Sequence, residues 1–197
     1  MTTLRHIRQS LERHQPVLLD DGGRKPTSVA MILLDLPNGV ELLFIERAAH
    51  ARDPWSGNIG FPGGKLEKDD RDLQHAAQRE SLEEVGIDLG LARPIGRLSD
   101  IAGAHLPIRV SCFVYYLDAE PLLSLSAEVR DAFWVRLDLL LSPERHITAT
   151  VPFAGDTHEV PAIRLPQPDK PVLWGITYRL VMQLFGILAL PGSAHKE

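Results

Sequence analysis

The sequence predicts an α+β fold in which helices cover a mixed β-sheet. Three observations carry this expectation. Runs rich in β-branched and aromatic residues recur between glycine- and proline-marked turns. Other segments repeat their apolar residues at helical spacing. The two kinds do not alternate regularly, which argues against a purely parallel βαβ sheet. At 197 residues, with 44% hydrophobic and 24% charged residues, the chain matches one globular domain with a sizeable core and excludes a disordered, collagenous or disulfide-stapled protein.

Each element follows from local pattern. Leu4, Ile7 and Leu11 predict an amphipathic helix near residues 3–14, followed by a polar linker over 20–27. Two β-rich runs, 28–36 and 40–46, flank Pro37-Asn38-Gly39, which punctuates a hairpin. Residues 48–65 carry Pro54, Gly57, Gly60, Pro62, Gly63 and Gly64, so a long loop is expected there, and long loops inside compact domains tend to be functional. Leu73, Ala76, Ala77, Leu82 and Val85 predict a helix over about 70–85, with Gly86 as its C-terminal cap. Further strands are expected at 95–98, 108–117, 132–135 and 159–165, with a short helix at 137–141. After Pro166, Pro168 and Pro171, the series Leu173, Ile176, Thr177, Leu180, Leu184 and Ile187 traces one face of a last helix. The expected division is an N-terminal helix and linker at 1–26, a main domain at 27–165, and a C-terminal helix at 166–197 that covers the sheet or pairs two copies as a homodimer.

Charge narrows the partners. Twenty-one Lys+Arg against 26 Asp+Glu give a net charge of −5, which does not favour a nucleic-acid backbone or an anionic membrane as partner. The apolar stretch 172–190 contains Arg179, where a charge disfavours membrane insertion. Cys112 is the single cysteine, so no internal disulfide forms. The first residues lack the apolar run of a secretory signal, and a reducing, cytoplasmic location is expected. The eight histidines show neither HxH nor HExxH order, which leaves no zinc motif.

The informative cluster is Glu80, Glu83 and Glu84. Their i, i+3, i+4 spacing puts three carboxylates on one helix face, an arrangement that repels itself unless a cation offsets it. Oxygen ligands without thiolate or imidazole select a hard cation, Mg²⁺ or Mn²⁺. Taken alone, the same spacing also describes a solvated acidic face. Upstream, Gly60-Phe61-Pro62-Gly63-Gly64 forms a turn whose bare backbone would approach a metal or phosphate closely, and it lacks Walker-loop spacing.

Gly63-Gly64-Lys65-Leu66-Glu67-Lys68-Asp69-Asp70, followed by Arg79-Glu80-Ser81-Leu82-Glu83-Glu84-Val85-Gly86-Ile87, resembles the box of the Nudix hydrolases. These enzymes cleave nucleoside diphosphates linked to another moiety. Asp70 stands for the family's first glutamate with one extra residue before Arg79, and Ser81 stands for an aliphatic residue. Within the family, the coenzyme A pyrophosphatase-like group is similar in the Asp, the insertion, and an upstream segment with two arginines, here Arg47 and Arg52, ahead of Phe61-Pro62-Gly63-Gly64. The stricter form of that segment has three residues between its second Arg and the next Gly, whereas Arg52 and Gly57 enclose four.

The resemblance implies a Nudix-type α/β/α sandwich and divalent-metal hydrolysis of a nucleotide diphosphate conjugate, first of all coenzyme A or its thioesters. Glu80 and Glu84 would be the principal metal ligands, with Glu83 a further ligand or a base, and the Gly64 carbonyl would supplement them. Arg79 would orient the glutamates. Asp70 would tie loop to helix, with a helix N-cap as the alternative, while Gly63 and Gly86 would be structural. Arg47, Arg52, Trp55 and Lys65 would bind substrate. Glu83, Glu128 and Glu159 are all open as the base. ADP-ribose or another conjugate, a capped RNA end, and a catalytically silent nucleotide-binding module are the alternative readings.

Overall fold

In the computed structural model, residues 3–20, 22–49, 55–104, 106–153 and 155–189 are described. Helix α1 (Leu4–Arg13) is capped by the Thr3 hydroxyl, which accepts from the His6 N–H at 3.3 Å. Strands β1 (Lys25–Leu36) and β2 (Gly39–Arg47) form the expected hairpin, antiparallel with Leu33 opposite Leu42. The loop predicted over 48–65 returns to the sheet as two short strands, β3 (Ile59–Gly60) and β4 (Gly63–Lys65). Helix α2 (Leu73–Val85) follows, then β5 (Arg93–Arg97), β6 (Ile101–Ala102), β7 (Ile108–Leu117), β8 (Val129–Arg136) and α3 (Leu137–Leu140). A hairpin of β9 (His146–Phe153) and β10 (Asp156–Ile163), then β11 (Leu173–Trp174) and α4 (Gly175–Ile187), complete the chain.

The main sheet is mixed. β7 runs parallel to β1 along Lys25–Leu34, while β2, β5 and β8 pair antiparallel with their neighbours. β1 alternates its side chains between two cores, as the period of two requires. Met31 and Leu33 meet Ile7 and Leu11 of α1 and Leu180, Leu184 and Phe185 of α4. Ala30 and Ile32 meet Ala77 and Val85 of α2. Helices therefore cover both faces, an α/β/α sandwich.

The hairpin strands part company where the site forms. β1 pairs with β2 only over Leu33–Leu36, and over Thr27–Val29 its partner is β4. β2 meanwhile pairs at Ile45 and Glu46 with β3. The 48–65 excursion is thus wedged between diverging strands, which presses Gly63 and Gly64 against β1.

Three expectations are corrected. The linker ends earlier than residue 27, because Lys25, Pro26 and Thr27 already pair with Ile108, Arg109 and Val110. Helix α2 begins at Leu73 rather than 70, since Asp72, with φ −163°, takes the cap position and accepts from the His75 N–H at 2.8 Å. The strand expected at 159–165 lies at Asp156–Ile163, and it is half of a hairpin whose other strand, β9, buries only Val151 and so carries no apolar signature. Among the described residues, no helix is long and apolar enough to cross a membrane.

Candidate active site

The site is built where α2 crosses β4. The helix ends as its sequence predicts: Gly86 adopts φ 75°, its N–H reaches the Leu82 carbonyl at 3.1 Å, and the Ile87 N–H reaches that of Ser81 at 3.2 Å. Ser81 occurs where the family has an aliphatic residue. It is buried, and its hydroxyl donates to the Ala77 carbonyl at 2.7 Å, so the helix satisfies the polar group itself.

Glu80 and Glu84, one turn apart, face the glycine strand. The Gly63 N–H donates to Glu84 Oε2 at 2.9 Å, and Arg47 Nη1 lies 3.6 Å from Glu84 Oε1. A Cβ built on Gly64 would stand 2.1 Å from Glu80 Oε1, so only glycine admits that carboxylate. A Cβ on Gly63 would stand 2.2 Å from the Ser28 carbonyl oxygen, a main-chain collision. The glycine pair thus exists because both a helix carboxylate and a neighbouring strand come too close for a side chain.

Arg79 organises the other side. Its Nε and Nη2 donate to the two Asp70 oxygens at 3.1 and 3.0 Å, a bidentate fork. Nη2 also donates to the Lys65 carbonyl at 3.1 Å, and Nη1 donates to Glu80 Oε1 and Glu83 Oε2, both at 3.0 Å. Asp70 further accepts from the Glu67 N–H at 2.9 Å. It ties the loop to the helix through Arg79 and is not the helix cap. Hydrogen bonding to Arg79 holds the Asp70 carboxyl down at about 2, against the opposing effect of its burial.

Electrostatics separate the carboxylates. Burial pushes Glu84 up to about 7, opposed by the Gly63 N–H and Arg47 and reinforced by Glu80 and Glu128. Burial also raises Glu80, with Arg79 pulling it down and Glu83 and Glu128 adding repulsion. Glu83 differs: its side chain is 57% exposed and turned to Arg79. Among the described residues, no three His, Cys, Asp or Glu side chains are grouped closely enough to hold a metal ion. Glu80 Oε1 and Glu83 Oε2 share Arg79 Nη1 at 3.0 Å each, while Glu84 turns to the Gly63 N–H.

A cavity of about 610 Å³ opens beside Gly63 and Gly64. Arg47, Trp55, Lys65 and Glu128 line it, whereas the side chains of Glu80, Glu83 and Glu84 do not. Arg52 lies outside the described residues. Glu159 is exposed on β10 and away from the cavity wall. Glu128 is brought in by the segment before β8: Ser124 and Ser126 N–H groups donate to the Val85 and Glu84 carbonyls at 3.0 Å, and the Ala48 N–H donates to the Glu128 carbonyl at 2.8 Å. The far wall comes from Leu106, Phe153, Trp174 and Ile176. No motif or spacing marks those four residues, because only folding brings them within reach of Gly64.

The donor set fits a hard cation. The Glu80 and Glu84 carboxylates offer oxygen alone, and Glu80 adds to the upward push that burial gives Glu84. Arg79 and Arg47 hold these carboxylates at present, at 3.0 and 3.6 Å.

Comparison with known proteins gives a consistent result. The family model described as NUDIX domain matches residues 24–154, about two thirds of the chain. An uncharacterized protein of Schizosaccharomyces pombe is 31% identical over 191 residues, covering 78% of this chain and 58% of that protein's length. An uncharacterized Nudix hydrolase, NudL, of Yersinia pestis is 31% identical over 147 residues, 73% of this chain and 70% of its own. Among solved structures, a MutT/nudix family protein from Enterococcus faecalis superposes with a TM-score of 0.57 at 16% identity, over 96% of this chain and 75% of that one, a likeness of fold.

Proposed function

This chain belongs to the Nudix family, and from that premise we propose that it is a divalent-metal-dependent diphosphatase acting on coenzyme A or acyl-coenzyme A, yielding 3′,5′-ADP and 4′-phosphopantetheine or its acyl form. The observation that carries this reading is the contact of Glu80 and Glu84 with Gly63–Gly64 at the edge of a cavity lined by Arg47, Lys65 and Glu128. Glu80, Glu84 and the Gly64 carbonyl would hold Mg²⁺ or Mn²⁺, with Glu83 as a further ligand. When bound, the cation offsets the charge of the diphosphate and makes its phosphorus accessible to water.

The chain's own residues supply the rest. Arg79, fixed by Asp70, sets the rotamers of Glu80 and Glu83. Arg47 and Lys65 line the cavity and carry cationic groups suited to phosphate oxygens. Arg52 and Trp55 belong to the same proposed substrate-binding segment. Of the three carboxylates open as base, Glu128 is the one on the cavity wall, so it is assigned to take the proton from the attacking water. Water adds to one phosphorus, the P–O–P bridge breaks, and the departing phosphate keeps the electron pair.

The test is a panel of CoA, acetyl-CoA and ADP-ribose, with Mg²⁺, with Mn²⁺ and with chelator, reading products by mass. Metal-dependent release of 3′,5′-ADP from CoA is the expected result. Turnover of ADP-ribose without turnover of CoA would move the assignment to another nucleotide conjugate. Binding without turnover of any conjugate would make the protein a nucleotide-binding module.

A further inference from the structure

The family-matched residues 24–154 supply the carboxylates, the glycine strand and the cations, while the cavity also takes Trp174 and Ile176 from beyond that stretch. Trp174 is the last residue of β11, Ile176 lies in the first turn of α4, and Phe153 ends β9. Phe153 and Trp174 meet edge to face, centroids 5.8 Å apart at 79°. The indole N–H donates to Asn58 Oδ1 at 3.2 Å, which pins the ring to the segment leading into β3. Ile176 packs on the main core while still lining the cavity, which Leu106 and Ile108 also line.

Of the side chains of Phe153, Trp174 and Ile176, only the Trp174 indole N–H can hydrogen-bond, and Asn58 already takes it. A buried base needs partners for its ring nitrogens and exocyclic groups, and leaving them unpaired is costly. Asn58, which lines the cavity, has its side-chain oxygen engaged by Trp174. Two rings at 79° also make a notch rather than the parallel faces between which a flat base stacks. Arg179, the charge contributed by α4, is exposed and donates to the Ala102 carbonyl at 2.9 Å. An aliphatic chain needs no polar partner and gains from each methylene it buries.

We propose that Phe153, Trp174 and Ile176 are the specificity-determining wall of the site, holding the apolar arm at the non-nucleotide end of the diphosphate conjugate and setting its preferred length. The proposal rests on the diphosphatase reading above for its reaction but not for its binding. KM is measured for CoA and its acetyl, butyryl and hexanoyl thioesters with the native protein and with Ile176→Trp and Ile176→Ala. In the native protein KM falls with arm length, by up to roughly fourfold per methylene fully buried. Ile176→Trp, which fills the notch, lowers the preference for hexanoyl over acetyl by fivefold or more, and Ile176→Ala shifts the preference to longer arms. Opposite shifts from one position separate a length-reading wall from damage to the fold, and thermal midpoints are recorded for all three proteins. A KM independent of arm length, or one length profile in all three folded proteins, overturns the proposal. If no conjugate is cleaved, the diphosphatase reading has failed. Calorimetric Kd values for the same thioesters then decide the wall: affinity rising with arm length supports it, and a flat series overturns it.

Discussion

Arg79 donates through each of its five N–H groups, to Asp70 twice, Glu80, Glu83 and the Lys65 carbonyl, so its charge and its planar fork are both fully used. Asp70 is the anchor of this arrangement, with a side chain only 1% exposed. Its carboxyl is held down at about 2 from an ordinary 3.8, so it stabilises the folded state above about pH 4 and loses that contribution as the pH falls through 2. Asp70→Asn is therefore expected to cost on the order of 1–2 kcal/mol at pH 7. The difference from the native protein shrinks below pH 4 in urea unfolding and vanishes near pH 2. Glu84 behaves in the opposite sense, because burial already disfavours its charge. Glu84→Gln keeps an acceptor for the Gly63 N–H and removes a buried carboxylate, so its unfolding free energy should equal or exceed the native value. If Glu84 holds the metal, kcat falls by roughly a hundredfold or more. An undiminished kcat in that variant would remove Glu84 from the proposed ligands.

Among the elements, β4 and α2 make the site by their closeness. The two glycines of β4 resist substitution for different reasons, which predicts different outcomes. Gly63→Ala drives a Cβ into the main chain of Ser28 and Val29, so a strand rather than a side chain has to shift. A loss of about 2–4 kcal/mol in denaturant unfolding is expected, together with loss of activity. Gly64→Ala collides with the carboxylate end of Glu80, which rotates away more cheaply than a strand shifts. Its stability loss should be at most about half that of Gly63→Ala, while its activity falls as far. At the helix end, Gly86 combines φ 75° with Ser124 atoms that would stand 3.0–3.4 Å from an added Cβ, so Gly86→Ala should lower stability by about 1 kcal/mol or more. That change also loosens the segment that carries Glu128.

At the scale of the molecule, the C-terminal elements belong to the core that faces α1. Leu173, Leu180, Leu184 and Phe185 are buried with Met31, Leu42 and Phe44 of the main sheet. Lys170 adds a clamp, with Nζ 2.9 Å from Glu46 Oε2, and Arg130 Nη1 lies 2.8 Å from Glu46 Oε1. A chain ended after residue 165 would expose one face of this core and leave Glu46 without its lysine. It is expected to aggregate or unfold rather than persist as a Nudix domain, checked by solubility and circular dichroism against the full chain. Lys170→Ala should destabilise the full chain by roughly 2–4 kcal/mol, since a buried carboxylate then loses one of its two cations, and hydrogen exchange should quicken at β11.

Local patterns determined much of this protein. The helical repeat of Leu4, Ile7 and Leu11, the Pro37-Asn38-Gly39 hairpin, the capped helix ending at Gly86, and the Gly63–Gly86 motif are short-range signals, because caps, turns and periodicity involve residues a few positions apart. They sufficed for the fold class and the family. Tertiary structure alone decided the remainder. It paired Thr27 with Val110, tied Asp70 to Arg79 nine residues on, turned Glu83 outward, and built a second hairpin strand with almost no buried face. It also closed the cavity with Phe153, Trp174 and Ile176, about a hundred residues from Gly64. Such contacts leave no spacing in a sequence, since what fixes them is the shared burial of distant side chains, and burial has no period along the chain.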